Sequence, residues 1–316
     1  MFKWNKKGMI FSPTITEHSW MQSHAQCPYP VDFEKFIRVY FSTRELDEGN
    51  QPRAFGGYVD LDKNNLKKII NVSSKPILQL GETGAFDEFG IMPCSVVKHN
   101  GQYYLYYAAW SRGVSVPYTW AIGFAISQDG SSFSKIGRGG PLLGATLYEP
   151  YLQGCPMVYK MSEHDWHMFY LSGIQWLDGE NQKESQYLMM HATSEDGLNW
   201  KRDGKTIIDT VLEYESQTTG AILELHDKYH MFFSYRHSLD FRKTKGRGYL
   251  IGYASSDDLF TWHRDDSQVG IELSTSGWDS EMITYPHVAK INEKIIMFYC
   301  GNDFGREGFG YAELEI

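Results

Sequence analysis

Five repeats of about 65 residues, each reading as short antiparallel strands, predict an all-β fold. The expected architecture is a single five-bladed β-propeller over residues 1–316, with four-stranded antiparallel blades and a ring closed by the N-terminal strand. Three observations predict it. An apolar–aromatic strand recurs at near-constant spacing: with Tyr40, Tyr106, Phe169, Phe232 and Phe298 as equivalents, the steps are 66, 63, 63 and 66 residues. Each copy carries the same companions in the same order. The last copy stops before its fourth strand, and the start of the chain resembles that strand.

The first strand of each copy opens on a proline or a small residue: Pro28–Val31, Pro93–Val97, Pro156–Tyr159, Thr219–Leu223 and Pro286–Ala289. Turns such as His99-Asn100-Gly101 join it to the aromatic strand as a hairpin. A third strand follows, as in Ile122–Ser127, Met190–Ser194 and Ile251–Ser256. It ends at Asp129-Gly130, Asp196-Gly197 or Asp257-Asp258, residues that tolerate left-handed backbone angles. The fourth strand carries an aromatic anchor, Phe133, Trp200 or Trp262, and Trp4 within Lys3–Gly8 matches it. Pairing that N-terminal strand with the last repeat removes an open sheet edge.

Composition agrees with a sheet protein and narrows the partners. Aromatics make up 15% of the chain, and flat rings pack well on a pleated surface. Most of them serve that packing, although aromatic planes also receive the C–H faces of sugar rings. The net charge of −9 argues against a nucleic-acid or anionic-membrane partner. No apolar run suits a signal peptide, and no window approaches the roughly 18 apolar residues of a membrane span. The cysteines, Cys27, Cys94, Cys155 and Cys300, show no CxxC and no metal-ligand spacing, so they read as buried free thiols. The expected location is the cytoplasm, with no metal.

Strand direction places five segments before the first strands, and five loops after the second strands, around one channel mouth. Function is read from those segments. The first set holds His24, Asp87 with Glu88, Glu149, Glu215, and Asp279 with Glu281. Four of five repeats thus offer a carboxylate near one structural position. The second set holds Arg44, Arg112, Arg236 with His237, and Asn302 with Asp303, beside Trp110, Gln175 and Trp176. Arginine presents a planar fork that matches carboxylate or phosphate oxygens. The arginines either neutralise the acids or hold an anionic ligand. Crowded carboxyl groups titrate apart, which supplies the acid and the base that glycoside chemistry needs.

Across the whole chain this blade grammar resembles the five-bladed glycosidase superfamily, which includes family 43 and 32 glycosidases, family 117 enzymes and family 130 mannoside phosphorylases. The segments Phe86–Pro93 and Gly277–Pro286 are similar to those of uncharacterised bacterial glycosidase-like proteins. The resemblance implies a carbohydrate-active enzyme linked to surface polysaccharide, cleaving a glycosidic bond by hydrolysis or phosphorolysis. Asp87, Glu149, Glu215 and Glu281 would be catalytic. His24, Arg44, Glu88, Trp110, Arg112, Gln175, Trp176, Arg236, His237, Asp279, Asn302 and Asp303 would bind a carbohydrate or glycoconjugate. No cofactor is implied, apart from inorganic phosphate as a candidate co-substrate. The first repeat departs from families 43 and 32, holding His24 and Gln26 where those enzymes carry an Asp. That departure favours the alternative, a non-catalytic propeller that binds a glycan. Phosphorylases of family 130 use one acid and a basic cluster, which Arg44, Arg112, Arg236 and His237 suit.

Overall fold

The computed structural model describes residues 1–315; Ile316, the last residue of the expected domain, lies outside them. Strand β1 (Trp4–Phe11) stands alone at the start of the chain. The first sheet unit holds β2 (Ser23–Asp32), β3 (Phe36–Leu46), β4 (Pro52–Asp62) and β5 (Asn65–Val72). The second holds β6 (Gly90–His99), β7 (Gln102–Arg112), β8 (Tyr118–Ser127) and β9 (Ser134–Lys135). The third holds β10 (Gln153–Ser162), β11 (Asp165–Asp178), β12 (Lys183–Ser194) and β13 (Trp200–Thr206). The fourth holds β14 (Glu215–Leu225), β15 (Lys228–His237), β16 (Leu250–Ser256) and β17 (His263–Arg264). The last holds β18 (Thr284–Ile291), β19 (Lys294–Cys300) and β20 (Phe309–Leu314).

Within each unit the strands pair antiparallel in chain order, as alternating hairpins require. A single parallel bridge from Ala54 to Gly90 joins the first two units into one eight-stranded sheet. Strand β1 pairs with β20, Trp4 opposite Leu314 and Phe11 opposite Phe309, so the last sheet also has four strands. First strands neighbour one another across units: β2 and β6, β6 and β10, β10 and β14, β14 and β18, and β18 and β2. Hydrogen bonds cross the same boundaries. Ser95 Oγ donates to Pro156 O at 2.9 Å, Tyr285 N donates to Ser234 Oγ at 2.8 Å, and the Cys300 thiol donates to Ala25 O at 3.2 Å. Helix is confined to short turns, and no helix among the described residues is long and apolar enough to cross a membrane.

The first strands begin earlier than their proline-marked cores suggest, because each runs through a bulge. Register shifts fall at Gln26/Tyr29, Pro93/Ser95, Gly154/Met157, Thr218/Ala221 and Thr284/His287. At the bulges Cys27, Cys155, Thr219 and Tyr285 adopt φ of 54°, 47°, 56° and 54°. Non-glycine residues enter that left-handed region at a cost, so the surrounding ladder must hold them there.

The turn residues do what their chemistry suggests. Ser127 Oγ accepts from Gly130 N at 2.9 Å, and Asp129 Oδ1 accepts from Ser131 N at 2.8 Å. The same turn recurs at Ser194-Glu195-Asp196 and Ser256-Asp257-Asp258. Buried tyrosines of the preceding unit lock onto two of these turns: Tyr40 OH donates to Gly130 O at 2.7 Å and Tyr106 OH to Gly197 O at 2.8 Å. Tyr106→Phe leaves a buried carbonyl without its donor, an expected loss of about 1–2 kcal/mol. Urea unfolding at neutral pH measures it, and an unchanged midpoint would deny the turn its stabilising role.

Candidate functional site

Each carboxylate at the recurring position is tied to the fourth strand of its own unit. Asp87 accepts from Lys135 Nζ of β9 at 2.6 Å and from Tyr107 OH of β7 at 3.2 Å. Glu149 accepts from Tyr170 OH of β11 at 3.1 Å, with Arg202 of β13 at 3.5 Å. Asp279 accepts from Lys6 Nζ of β1 at 2.8 Å and from Tyr299 OH of β19 at 2.9 Å. Glu215 accepts from Arg264 Nη1 of β17 at 2.6 Å. Phe233 stands where the second, third and last units carry the tyrosine, and its ring lies 5.0 Å from the Arg264 guanidinium carbon. All four carboxylates are buried.

Burial alone would raise the Asp279 pKa; bonds from Lys6, Ser274 and Tyr299 outweigh it and hold the carboxyl below its ordinary value. Tyr107, Tyr170 and Tyr299 are all pushed up, first by burial and then by the carboxylate each one faces. These groups form an acid–tyrosine–cation staple across a sheet.

The cavity between the units has a different lining. Its volume is about 530 Å³, and its walls carry Arg44, Arg112, Arg236 and Arg242 with Trp110 and Trp120, but no Asp or Glu among the described residues. Arg44, Trp110, Arg112 and Arg236 are residues singled out from the sequence. The loop and strand ends that bear them are far apart in the chain, and the units bring them together. Gly90 seats one wall: a Cβ there would fall 1.6 Å from Trp110 Nε1, so a side chain would displace the indole.

Two of these arginines already have carboxylate partners. Arg112 Nη2 donates to Asp47 Oδ2 at 2.7 Å, and Arg242 Nη1 donates to Glu184 Oε1. Arg44 and Arg236 have none among the described residues. Arg44 Nε donates to Gln26 Oε1 at 3.1 Å. Arg236 is almost fully buried, donating to His237 O at 2.6 Å and Tyr187 OH at 2.9 Å, while its Nε has no partner. Its guanidinium carbon lies 3.5 Å from the Phe241 ring centre. The Tyr187 and Tyr249 hydroxyls bond to each other beside it. Burial lowers the pKa of Arg44, and the like charge of Arg242 adds to the effect although the Tyr285 phenol opposes it. Two guanidinium groups of the cavity wall, Arg44 and Arg236, thus stand without a carboxylate partner among the described residues in a chain of net charge −9.

The other residues singled out from the sequence do not line this cavity. Glu149 borders a separate open cleft with Tyr148, Tyr151 and Lys205. Glu88 accepts from Gly84 N at 2.8 Å, in the loop before β6. Glu281 is exposed, and its N–H donates to Asn302 Oδ1 at 2.8 Å while Asn302 Nδ2 donates to Gly277 O. Asp303 is exposed, at a φ of 49°. Gln175 Nε2 donates to Gln186 Oε1 at 2.7 Å, and Trp176 packs edge-on against Tyr118, a cavity residue. His237 Nδ1 is buried without a partner. Sequence reasoning passed over Tyr187, Tyr249 and Arg242. Tyr187 lies inside β12, ahead of the apolar stretch that marks that strand in the sequence, Tyr249 comes just before β16, and Arg242 sits in the long loop after β15.

His24 is the residue the first repeat offers in place of an acid in the sequence, and its Nδ1 lies 2.9 Å from Ser23 Oγ. Burial, with Arg44 and Arg306 beside it, lowers its pKa from 6.5 to about 3. The folded imidazole therefore stays neutral while the unfolded one gains a proton, and stability falls as pH drops below 6.5 toward 3. His24→Gln should remove about 1.4 kcal/mol of that acid sensitivity per pH unit. Urea unfolding at two pH values reads the slope; an unaltered slope would show that His24 charges in the native state.

No protein-family model matches the chain. An uncharacterised protein of Mycobacterium tuberculosis, MT1551, is 33% identical over 314 residues, covering 99% of this chain and 99% of its own. A solved glycoside hydrolase superimposes with a TM-score of 0.77 at 18% identity, covering 99% of this chain and 92% of that one. The β-1,2-mannobiose phosphorylase of Listeria innocua, in complex with β-1,2-mannobiose, superimposes with a TM-score of 0.70 at 10% identity, covering 100% of this chain and 96% of that one. The chain belongs to one family with MT1551, and its fold is that of the glycoside hydrolase-like propeller proteins.

Proposed function

We propose that this protein is a five-bladed propeller, closed by β1, that acts at the glycosidic bond of a saccharide carrying an anionic group. The cyclic contacts of the first strands and the β1–β20 pairing support the ring. One observation carries the functional reading: the central cavity is walled by arginines and aromatic rings, with no carboxylate side chain among the described residues that line it. Guanidinium forks without carboxylate partners suit a phosphate or a sugar carboxylate. Trp110 and Trp120 offer planes on which a sugar ring packs. Hydrolysis by two carboxyl groups needs both of them facing the scissile bond. With Asp87, Glu149 and Glu215 held in staples, phosphorolysis fits the cavity better. Inorganic phosphate, as co-substrate, replaces the nucleophile or base at the anomeric carbon, and a single proton donor to the departing oxygen is still required.

The same acid-free wall favours a second reading, a propeller that binds an anionic glycan without cleaving it. Both are tested on purified protein with a panel of neutral, uronic and phosphorylated glycosides, with and without inorganic phosphate. Turnover that requires phosphate selects phosphorolysis, and saturable binding without turnover selects the binding module. Failure to bind any charged saccharide would remove both. Glu149→Gln should lower thermal stability and leave affinity within about threefold, since a residue outside the cavity contributes little to ΔG of binding. Loss of turnover with full stability would return Glu149 to the catalytic set.

A further inference from the structure

The bulges of the first three units bring three thiols to one point. The sulfurs of Cys27, Cys94 and Cys155 all lie within 4.8 Å of one another. All three are free and buried. They come from β2, β6 and β10, and the equivalent bulge positions of β14 and β18 hold Thr219 and Tyr285. Tyr285 lines both the small cavity beside the thiols and the arginine cavity.

We propose that Cys27, Cys94 and Cys155 form a buried three-thiolate site for a zinc-like thiophilic divalent cation. A single buried cysteine behaves as a small hydrophobe. Three sulfurs at one centre are a set of soft donors of the kind that selects such ions. Zinc–sulfur bonds of about 2.3 Å imply sulfur–sulfur edges of about 3.8–4.0 Å, which the triangle reaches with small side-chain movements. The cation would replace the thiol protons, forming three metal–sulfur bonds and releasing those protons to solvent. A divalent ion on three thiolates leaves one negative charge. Arg44, which is without a carboxylate partner among the described residues and is close enough to feel Cys27, opposes it. His287 lines the same small cavity but is not part of the sulfur triangle; its Nδ1 has no partner and burial keeps the ring neutral, with a pKa lowered to about 3.

The site rests on no part of the saccharide reading and is tested separately. Reduced wild-type protein, stripped of metal, is titrated with Cd²⁺ and Zn²⁺ and followed by thiolate-to-metal charge-transfer absorbance and by metal analysis after gel filtration. The expected result is one ion per chain and an intense ultraviolet band. Cys27→Ser and Cys155→Ser should each weaken Cd²⁺ binding by at least about tenfold. Cys300→Ser, which removes a buried thiol outside the triangle, should bind as wild type does. Should a serine variant misfold, the wild-type titration still decides. A folded, fully reduced wild-type chain that retains no ion and shows no band overturns the proposal. So does a Cys300→Ser variant that loses as much affinity as Cys27→Ser.

Discussion

Replacing Arg264 by methionine should destabilise the protein by about 3–5 kcal/mol, the range for breaking a buried ion pair from one side. The side chains of Arg264 and Glu215 are 4% and 0% exposed and meet at 2.6 Å. Arg264 also donates to Asp266 Oδ2 at 2.8 Å and to Asp209 O at 2.7 Å. Methionine retains apolar packing against Phe233 and Tyr235 while removing the charge, so the loss reports on electrostatics rather than on a hole. Glu215 keeps three donors, from Gln217 Nε2, Val211 N and Leu212 N, but no compensating cation. Adding Glu215→Gln to Arg264→Met should therefore recover stability, because it discharges the stranded group. Urea unfolding of the wild type, both single variants and the double variant closes the cycle. A loss below about 1 kcal/mol, the size of an exposed pair, would mean the staple is solvated and would free Glu215 for another role.

The staples also explain what was legible in the sequence and what was not. Strand order, turns and the pairing of the Trp4 strand with the end of the chain follow from local signals repeated five times, and repetition makes weak signals strong. The carboxylates were equally visible, but their partners lie on another strand of the same unit. A signal for those partners exists. Two residues after the aromatic anchor stands a cation: Phe133 then Lys135, Trp200 then Arg202, Trp262 then Arg264, and Trp4 then Lys6. The four units with that pattern are the four that carry an acid. The first unit lacks the acid and has Phe41 where the second, third and last have Tyr107, Tyr170 and Tyr299.

The thiols illustrate a second limit. Spacing rules for metal ligands assume that ligands lie close together in the chain, on one loop or hairpin. Cys27, Cys94 and Cys155 are separated by whole repeats, and only the bulge at the same position of three units brings their sulfurs together. The arginines share this property. Arg44, Arg112 and Arg236 each end a second strand, so the repeat alone places them at one end of the molecule. Their distances and partners needed coordinates, because a side chain as long as arginine can turn toward the cavity or toward a neighbouring carboxylate, as Arg112 does toward Asp47.

Arg44→Gln and Arg236→Met should each weaken binding of a phosphorylated or uronic saccharide by about 10- to 100-fold, the equivalent of one charge-assisted hydrogen bond. The neutral parent sugar should lose less than about threefold, since its contacts are to rings and amides. Arg236 packs on Phe241, Tyr187 and Tyr249, so its variant needs a folding control; Arg44→Gln perturbs less and serves as the cleaner probe. Isothermal titration with matched charged and neutral ligands measures both. Equal loss for the two ligand classes would strip the arginines of any anion-binding role. Salt provides an internal check. Attraction between exposed charges fades over a Debye length of about 8 Å at physiological ionic strength, whereas a guanidinium as buried as Arg236 is screened far less. A chain of net charge −9 repels anions over most of its surface, so affinity for a charged sugar that survives high salt can come only from a built pocket such as this one.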